Sequence, residues 1–206
     1  MFLVFEGIDG SGKSTQAKLL EQHIRSRLGK AVLLVREPGG TRLGETLRSI
    51  LLNSREEIST ETELFLFMAA RSHLVRTRIL PALVQGQVVI SDRFIWSSAV
   101  YQGLVAGNDP REILRMGRIA ATGLRIQRTF LIDVDPEVSF RRVKDPNRME
   151  ARGLDFQRRV RKGFLTLARR KGTGIVVIDG RGSIDEVHRR VIAALPVRGW
   201  SICSSR

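Results

Sequence analysis

Cysteine is all but missing from this 206-residue chain: Cys203, near the C-terminus, is the only one. An internal disulfide is therefore excluded, and with it a disulfide framework. Histidine is scarce too. His23, His73 and His188 are scattered through helical patterns beside charged residues. No Cys/His group has metal-ligand spacing, so solvated helix faces are expected for all three histidines. No apolar run approaches the roughly 20 residues that a membrane span needs, so no membrane partner is expected. The opening Met1-Phe2-Leu3-Val4-Phe5-Glu6 is apolar, but it is too short for a signal peptide and runs straight into a Gly-rich loop. A cytoplasmic location is expected. Acids are also outnumbered: 21 Asp+Glu stand against 35 Lys+Arg, a net charge of +14. Such a balance can signal nucleic acid, an anionic membrane or a phosphorylated small molecule. Where the charge lies decides between them.

What is present reads as one folded unit. Hydrophobic residues make up 42% and charged residues 27%, the mix of a globular protein. Short apolar runs at 2–6, 31–35, 88–90, 128–134 and 174–178 alternate with helical patterns. The third run ends at Asp92. Strand–helix alternation predicts an α/β fold on a five-stranded parallel sheet, in three layers, as a single domain over 1–196. A long helix is expected over 60–85, kinked at Pro81. The stretch 197–206 has no periodicity and is expected to fray.

The first loop is Gly7-Ile8-Asp9-Gly10-Ser11-Gly12-Lys13-Ser14, followed by Thr15. It fits G-x4-G-K-[ST] in full, with a strand before it and a helix after it. The glycines let backbone N–H groups turn in on phosphate oxygens, and the helix N-terminus adds a favourable dipole. Lys13 is expected at the β- and γ-phosphates of ATP, and the Ser14 hydroxyl at Mg2+. The motif alone does not separate a GTPase, a motor and a small-molecule kinase. No Asn-Lys-x-Asp string is present, which removes the GTPase base-reading motif, and the chain is short for a motor.

Two further loops point at an acceptor. The second strand runs into Arg36-Glu37-Pro38-Gly39-Gly40-Thr41 and the third into Asp92-Arg93-Phe94. Open α/β sheets bind ligands at these strand ends. Two arginines there suit a substrate phosphate, which a planar guanidinium holds with two hydrogen bonds. Asp92 is expected to assist Mg2+ or orient Arg93. Phe67 and Arg71 stand four apart on one helix face. They form either a base-stacking ring with a carbonyl donor, or ordinary core packing with a rim charge. A polar and aromatic set follows at Ser98, Tyr101 and Gln102.

The excess charge concentrates in one place. Residues 141–170 hold eleven Lys/Arg and three acids, a net +8. Apolar residues interrupt the segment at helical spacing, so a structured element is expected rather than an arm. Phosphoryl transfer needs charge neutralisation more than covalent chemistry. A lid over about 144–152, flanked or carried by Arg141, Arg142, Lys144 and Arg148, would supply it. Most of 158–170 reads as a solvated basic helix.

Taken together, these motifs resemble those of bacterial thymidylate kinases in order and spacing over about residues 2 to 195. The resemblance implies a P-loop kinase fold and transfer of the ATP γ-phosphate to dTMP, giving dTDP and ADP with Mg2+. It implies that Asp9 lies near the acceptor phosphate and that Arg36 and Arg93 hold it. Phe67 would stack on thymine, Arg71 would donate to O4, and Ser98 and Gln102 would reach the base edge. Tyr101 would sit under the deoxyribose, Pro38 would follow a cis peptide, and Arg181 would lie by adenine. The loop itself holds no arginine, so the lid should provide the catalytic one, Arg148 or Arg142. Asn147 stands where the family's lid string has Asp, and Phe164 where tyrosine is common. A homodimer is implied, with Leu64, Leu66 and Met68 as a possible contact stripe. A kinase for another nucleoside monophosphate and a nucleic-acid-binding protein are the alternatives; no nucleic-acid recognition motif is present.

Overall fold

The computed structural model describes residues 1–143, 148 and 150–196 of the chain, with the backbone alone of Glu150. Five positions of the expected lid (144–147 and 149) and the expected tail at 197–206 lie outside the described residues.

Five strands, β1 (Phe2–Glu6), β2 (Val32–Arg36), β3 (Val88–Asp92), β4 (Arg128–Asp133) and β5 (Ile175–Asp179), form one sheet in the order β2-β3-β1-β4-β5. Every pairing is parallel. A parallel sheet needs helices on both faces, and the alternation of β1 shows both being covered. Phe2 and Val4 face one core, with Leu74, Val89 and Phe164. Leu3 and Phe5 face the other, with Leu20, Ile24 and Phe130. All four β1 side chains are fully buried, each stabilising the fold by about 1.5–3 kcal/mol through apolar transfer. The expected three-layer α/β fold is the observed one.

Helix α1 (Lys13–Leu28) has no side-chain N-cap, because Gly12 enters it at φ 90°. Its first N–H groups are thereby left for another acceptor. In contrast, α2 (Arg42–Asn53) is capped by Thr41, which accepts from Gly44 N at 2.9 Å. Next come α3 (Thr60–Leu74), a π-helical turn (Val75–Ile79) and α4 (Leu80–Val84). The expected kink at Pro81 thus takes the form of a widened turn. Leu80 N–H bonds Val75 O, five residues back, which loosens the ladder just where Pro81 cannot donate. A second widened turn (Ala99–Val105) continues α5 (Ile95–Ser98). The remaining helices are α6 (Pro110–Ala120), α7 (Pro136–Phe140), α8 (Leu154–Ala168) and α9 (Ile184–Ala193).

The contact stripe expected on α3 is largely internal. Leu64 and Met68 are buried against Ile113 and Ala120 of α6, because two packed helices bury their facing rows. Phe65 is the large apolar side chain that α3 exposes, at 63%. Among the described residues, no helix is long and apolar enough to cross a membrane.

The strands end in register on charged residues: Arg36 opposite Asp92, and Asp133 opposite Asp179. The loops that leave this edge build the site.

Candidate active site

Two clefts open side by side above the carboxyl ends of the strands. The first, of about 500 Å3, is lined by Gly10 to Gln16, Arg142 of the loop after α7, and Gly180, Gly182 and Ser183 after β5. The second, tighter pocket, of about 80 Å3, lies over β3 between α2, α3 and α5. Its wall holds Phe67, Arg71, Ser98, Tyr101 and Gln102, with Pro38, Arg48, Asp9 and Arg93 towards the first cleft.

The loop between β1 and α1 is shaped for backbone donation. Gly10 sits at φ 76° with Ser139 O directly where a side chain would start, so only glycine fits there. The Ser139 hydroxyl donates to Asp9 O and pins the loop to α7. Lys13 is 6% exposed. Its ammonium donates to Ile8 O at 3.3 Å and meets Asp9 at 3.4 Å.

Asp9 is the junction between the two clefts. It pairs with Arg93 and Lys13, and it accepts from the Tyr101 hydroxyl at 3.4 Å. Burial alone would raise its pKa, but the two cations outweigh burial and hold its carboxyl well below the usual range. Burial pushes the Tyr101 hydroxyl up, so it stays protonated. Asp9 in turn holds Arg93 firmly charged against its own burial.

Arg93 adopts φ 71°, a left-handed conformation that non-glycine residues rarely take. Its neighbours fix it there. Arg93 N–H donates to Phe5 O at 2.8 Å, and Ser91 Oγ donates to Arg93 O at 2.7 Å. Glu6, 1% exposed, accepts from Phe94 N, Ser97 N and the Ser97 hydroxyl. Burial raises the pKa of Glu6, with Arg93 opposing.

Arg71 and Glu37 form a buried pair at 2.8 Å, 2% and 4% exposed. Arg71 also donates to Ser98 Oγ at 3.1 Å, and its guanidinium lies over the Phe94 ring. Burial pushes the Glu37 carboxyl up to about 7, while Arg71 pulls it down. The Glu37–Pro38 peptide is cis, as expected.

The sequence-derived site residues fall into three groups. Lys13, Ser14, Thr15 and the loop glycines from Gly10 line the first cleft; Gly7 lies beneath it, beside Ile132 O. Asp9, Pro38, Phe67, Arg71, Arg93, Ser98, Tyr101 and Gln102 line the second. Ser11 and Arg142 also line the first cleft and Asp92 meets Ser14, whereas Arg36, Arg181 and Arg148 lie elsewhere. Arg36 points away and pairs with Glu45 at 3.0 Å, 56% exposed. Arg181 folds back on Asp179 at 2.8 Å, 83% exposed. Of the two arginines expected to act from a lid, Arg142 donates to Gly10 O at 3.3 Å beside the first cleft. Arg148 instead pairs with Glu63 at 2.5 Å and donates to Leu51 O at 3.0 Å.

Four side chains of the site escaped the sequence reading: Arg48, Glu37, Glu6 and Glu63. Arg48 takes the place expected for Arg36, lining the second pocket and donating to Pro38 O at 2.9 Å. A signal for it existed. Arg48 stands four residues from Gly44 and three from Leu51, the two buried residues of α2, so it shares their face.

Comparison with known proteins agrees with this geometry. The family model described as thymidylate kinase matches residues 5–191. A thymidylate kinase of Caldanaerobacter subterraneus subsp. tengcongensis is 43% identical, over 94% of this chain and 94% of its own. That of Oleidesulfovibrio alaskensis is 43% identical over 95% and 97%. The crystal structure of thymidylate kinase from Ehrlichia chaffeensis superposes with a TM-score of 0.76 at 35% identity, covering 95% of this chain and 98% of that one. With a complete phosphate loop beside an aromatic, arginine-lined pocket, and relatives this similar along nearly its whole length, the chain belongs to the thymidylate kinase family.

Proposed function

We propose that this chain, as a thymidylate kinase, moves the γ-phosphoryl of ATP to dTMP, giving ADP and dTDP for dTTP synthesis. The observation that carries the reading is the pocket of Phe67, Arg71, Ser98 and Gln102, closed at its inner end by Arg48 and Arg93 and opening on the phosphate loop. A flat ring and polar edge groups suit a base. Two guanidinium groups suit its 5′-phosphate. Tyr101, 8% exposed, fills the space between, where a deoxyribose meets less crowding than a ribose.

The transfer is direct and in line, with no phosphoenzyme. Backbone N–H groups of the loop and Lys13 hold the donor phosphates. Arg93 and Arg48 hold the acceptor phosphate. Asp9 stays ionised and keeps Lys13 and Arg93 at a fixed spacing across the line of transfer. Arg142 is the lid arginine whose position supports charge neutralisation at the donor. Arg148 instead serves as a contact to α3 through Glu63.

The donor set fits Mg2+. Ser14 Oγ touches Asp92, and Asp92 Oδ1 is buried without a hydrogen-bond partner. Among the described residues no group of three or more His/Cys/Asp/Glu could hold a metal alone, but Mg2+ takes one or two protein oxygens and completes its shell with phosphates and water. Bound with ATP, it would neutralise phosphate charge there. A cytoplasmic, homodimeric enzyme fits this reading, with exposed Phe65 available to a second copy.

The test is turnover with ATP on dTMP, dUMP, dCMP and dGMP. Preference for dTMP is expected; preference for dCMP or dGMP would overturn the reading.

A further inference from the structure

Glu63 has no part in the chemistry described so far, yet it is buried to 2% at the start of α3. A buried carboxylate is costly unless donors surround it. Here they come from two distant segments. Oε1 takes Arg148 at 2.5 Å and Arg152 at 3.1 Å. Oε2 takes Gln102 Nε2 at 3.3 Å.

The last contact has a consequence for the pocket. A carboxylate only accepts hydrogen bonds. The atom that Gln102 turns to Glu63 must therefore be its NH2. Gln102 is itself buried to 2% and lines the acceptor pocket beside Arg71. Its Oε1 takes no part in that contact. With the nitrogen arm of the amide turned to Glu63, the oxygen arm is turned away from it and offers a substrate an acceptor. An oxygen acceptor suits the N3–H of thymine or uracil. It opposes the bare N3 of cytosine.

We propose that Glu63 is a positioning residue for base selection: it fixes the orientation of the Gln102 amide so that an acceptor faces the base, and Arg148 and Arg152 in turn hold the Glu63 carboxylate in place. The proposal rests on the reading of the pocket as a dTMP site. It links the lid to base recognition, because the two arginines clamp the carboxylate that sets the amide.

Glu63→Gln removes the constraint, since an amide at 63 offers either a donor or an acceptor to Gln102. The measurement is kcat/KM for dTMP, dUMP and dCMP in the wild type and the variant. The dTMP/dCMP ratio is expected to narrow about tenfold, the scale of one hydrogen bond reversed. The dTMP/dUMP ratio is expected to hold, because both bases carry N3–H. A purely structural role for Glu63 would slow all three substrates and leave both ratios unchanged; that result overturns the proposal. If the amide variant fails to fold, Glu63→Asp keeps the charge but draws it back by one carbon, and the same narrowing is expected. An unchanged dTMP/dCMP ratio in that variant is equally fatal. A wild type without dTMP preference would instead overturn the function, and so is a distinguishable failure.

Discussion

At the scale of the residue, the site depends on charges held in low-dielectric surroundings by specific partners. Glu37 and Arg71 show what this requires. Both are nearly inaccessible and meet at 2.8 Å. Removing one partner leaves the other charge buried and uncompensated, at a cost of about 3–5 kcal/mol. Glu37→Gln is therefore expected to lower unfolding free energy by roughly that amount in urea titration, and to weaken dTMP binding through Arg71. A loss under about 1 kcal/mol would mean that water replaces the carboxylate. Asp9 gives a pH signature of known sign. Its folded pKa lies below its ordinary value of 3.8, so the unfolded chain binds its proton more readily. Its contribution is present above pH 3.8 and is lost as pH falls through the folded pKa. Asp9→Asn should remove this part of acid sensitivity, and the stability difference between wild type and variant should shrink at low pH. A difference that grows on acidification would contradict the pairing.

At the scale of the element, most of the architecture was legible because each segment carries its period openly. The bounds of α1 and α2 are marked in the sequence by Gly12, Gly29 and Thr41. Misplaced features depended on which way a side chain turns. Arg36 ends β2 facing Glu45, whereas Arg48 reaches the pocket from inside α2. A strand end narrows the location of a phosphate site, but only the phase of the next helix says which arginine enters it. The widened turns were also hidden, because a π-helical turn and an α-helix share nearly the same apolar spacing over five to seven residues. The expected lid shows in the sequence as a basic interruption, which says nothing of how its arginines divide the work. That division is testable. Arg142 sits at Gly10 O and Arg148 at Glu63. Arg142→Ala is expected to lower kcat about 10²–10³-fold, with a smaller change in the KM for dTMP, as for loss of a transition-state donor. Arg148→Ala should chiefly alter KM and base preference. The reverse pattern in steady-state kinetics would return the catalytic role to Arg148.

At the scale of the whole molecule, a net charge of +14 surrounds a reaction between two anions. The charge is placed where it can act over distance. Arg48, Arg71 and Arg93 line the acceptor pocket, and Lys13 and Arg142 line the donor cleft. The clefts share one edge of the sheet, so their fields add outside the molecule. Such a field raises the encounter rate of anionic substrates and is screened beyond about 10 Å at 0.1 M salt. Contacts inside the closed site are buried and screened far less. Added salt should therefore act on capture rather than on transfer. With an inert salt at constant pH and Mg2+, kcat/KM for dTMP is expected to fall several-fold between about 0.01 and 0.15 M ionic strength while kcat changes little. A flat kcat/KM would show that steering is unimportant and that the basic surface serves something other than substrate capture. An equal fall in kcat would place the sensitive charges inside the reacting complex instead. Charge reversal just past the C-terminal end of α8, at the exposed Arg169 and Arg170, separates local from global effects. If the whole field steers, those remote changes should lower kcat/KM modestly; if only the cleft arginines do, they should leave it alone.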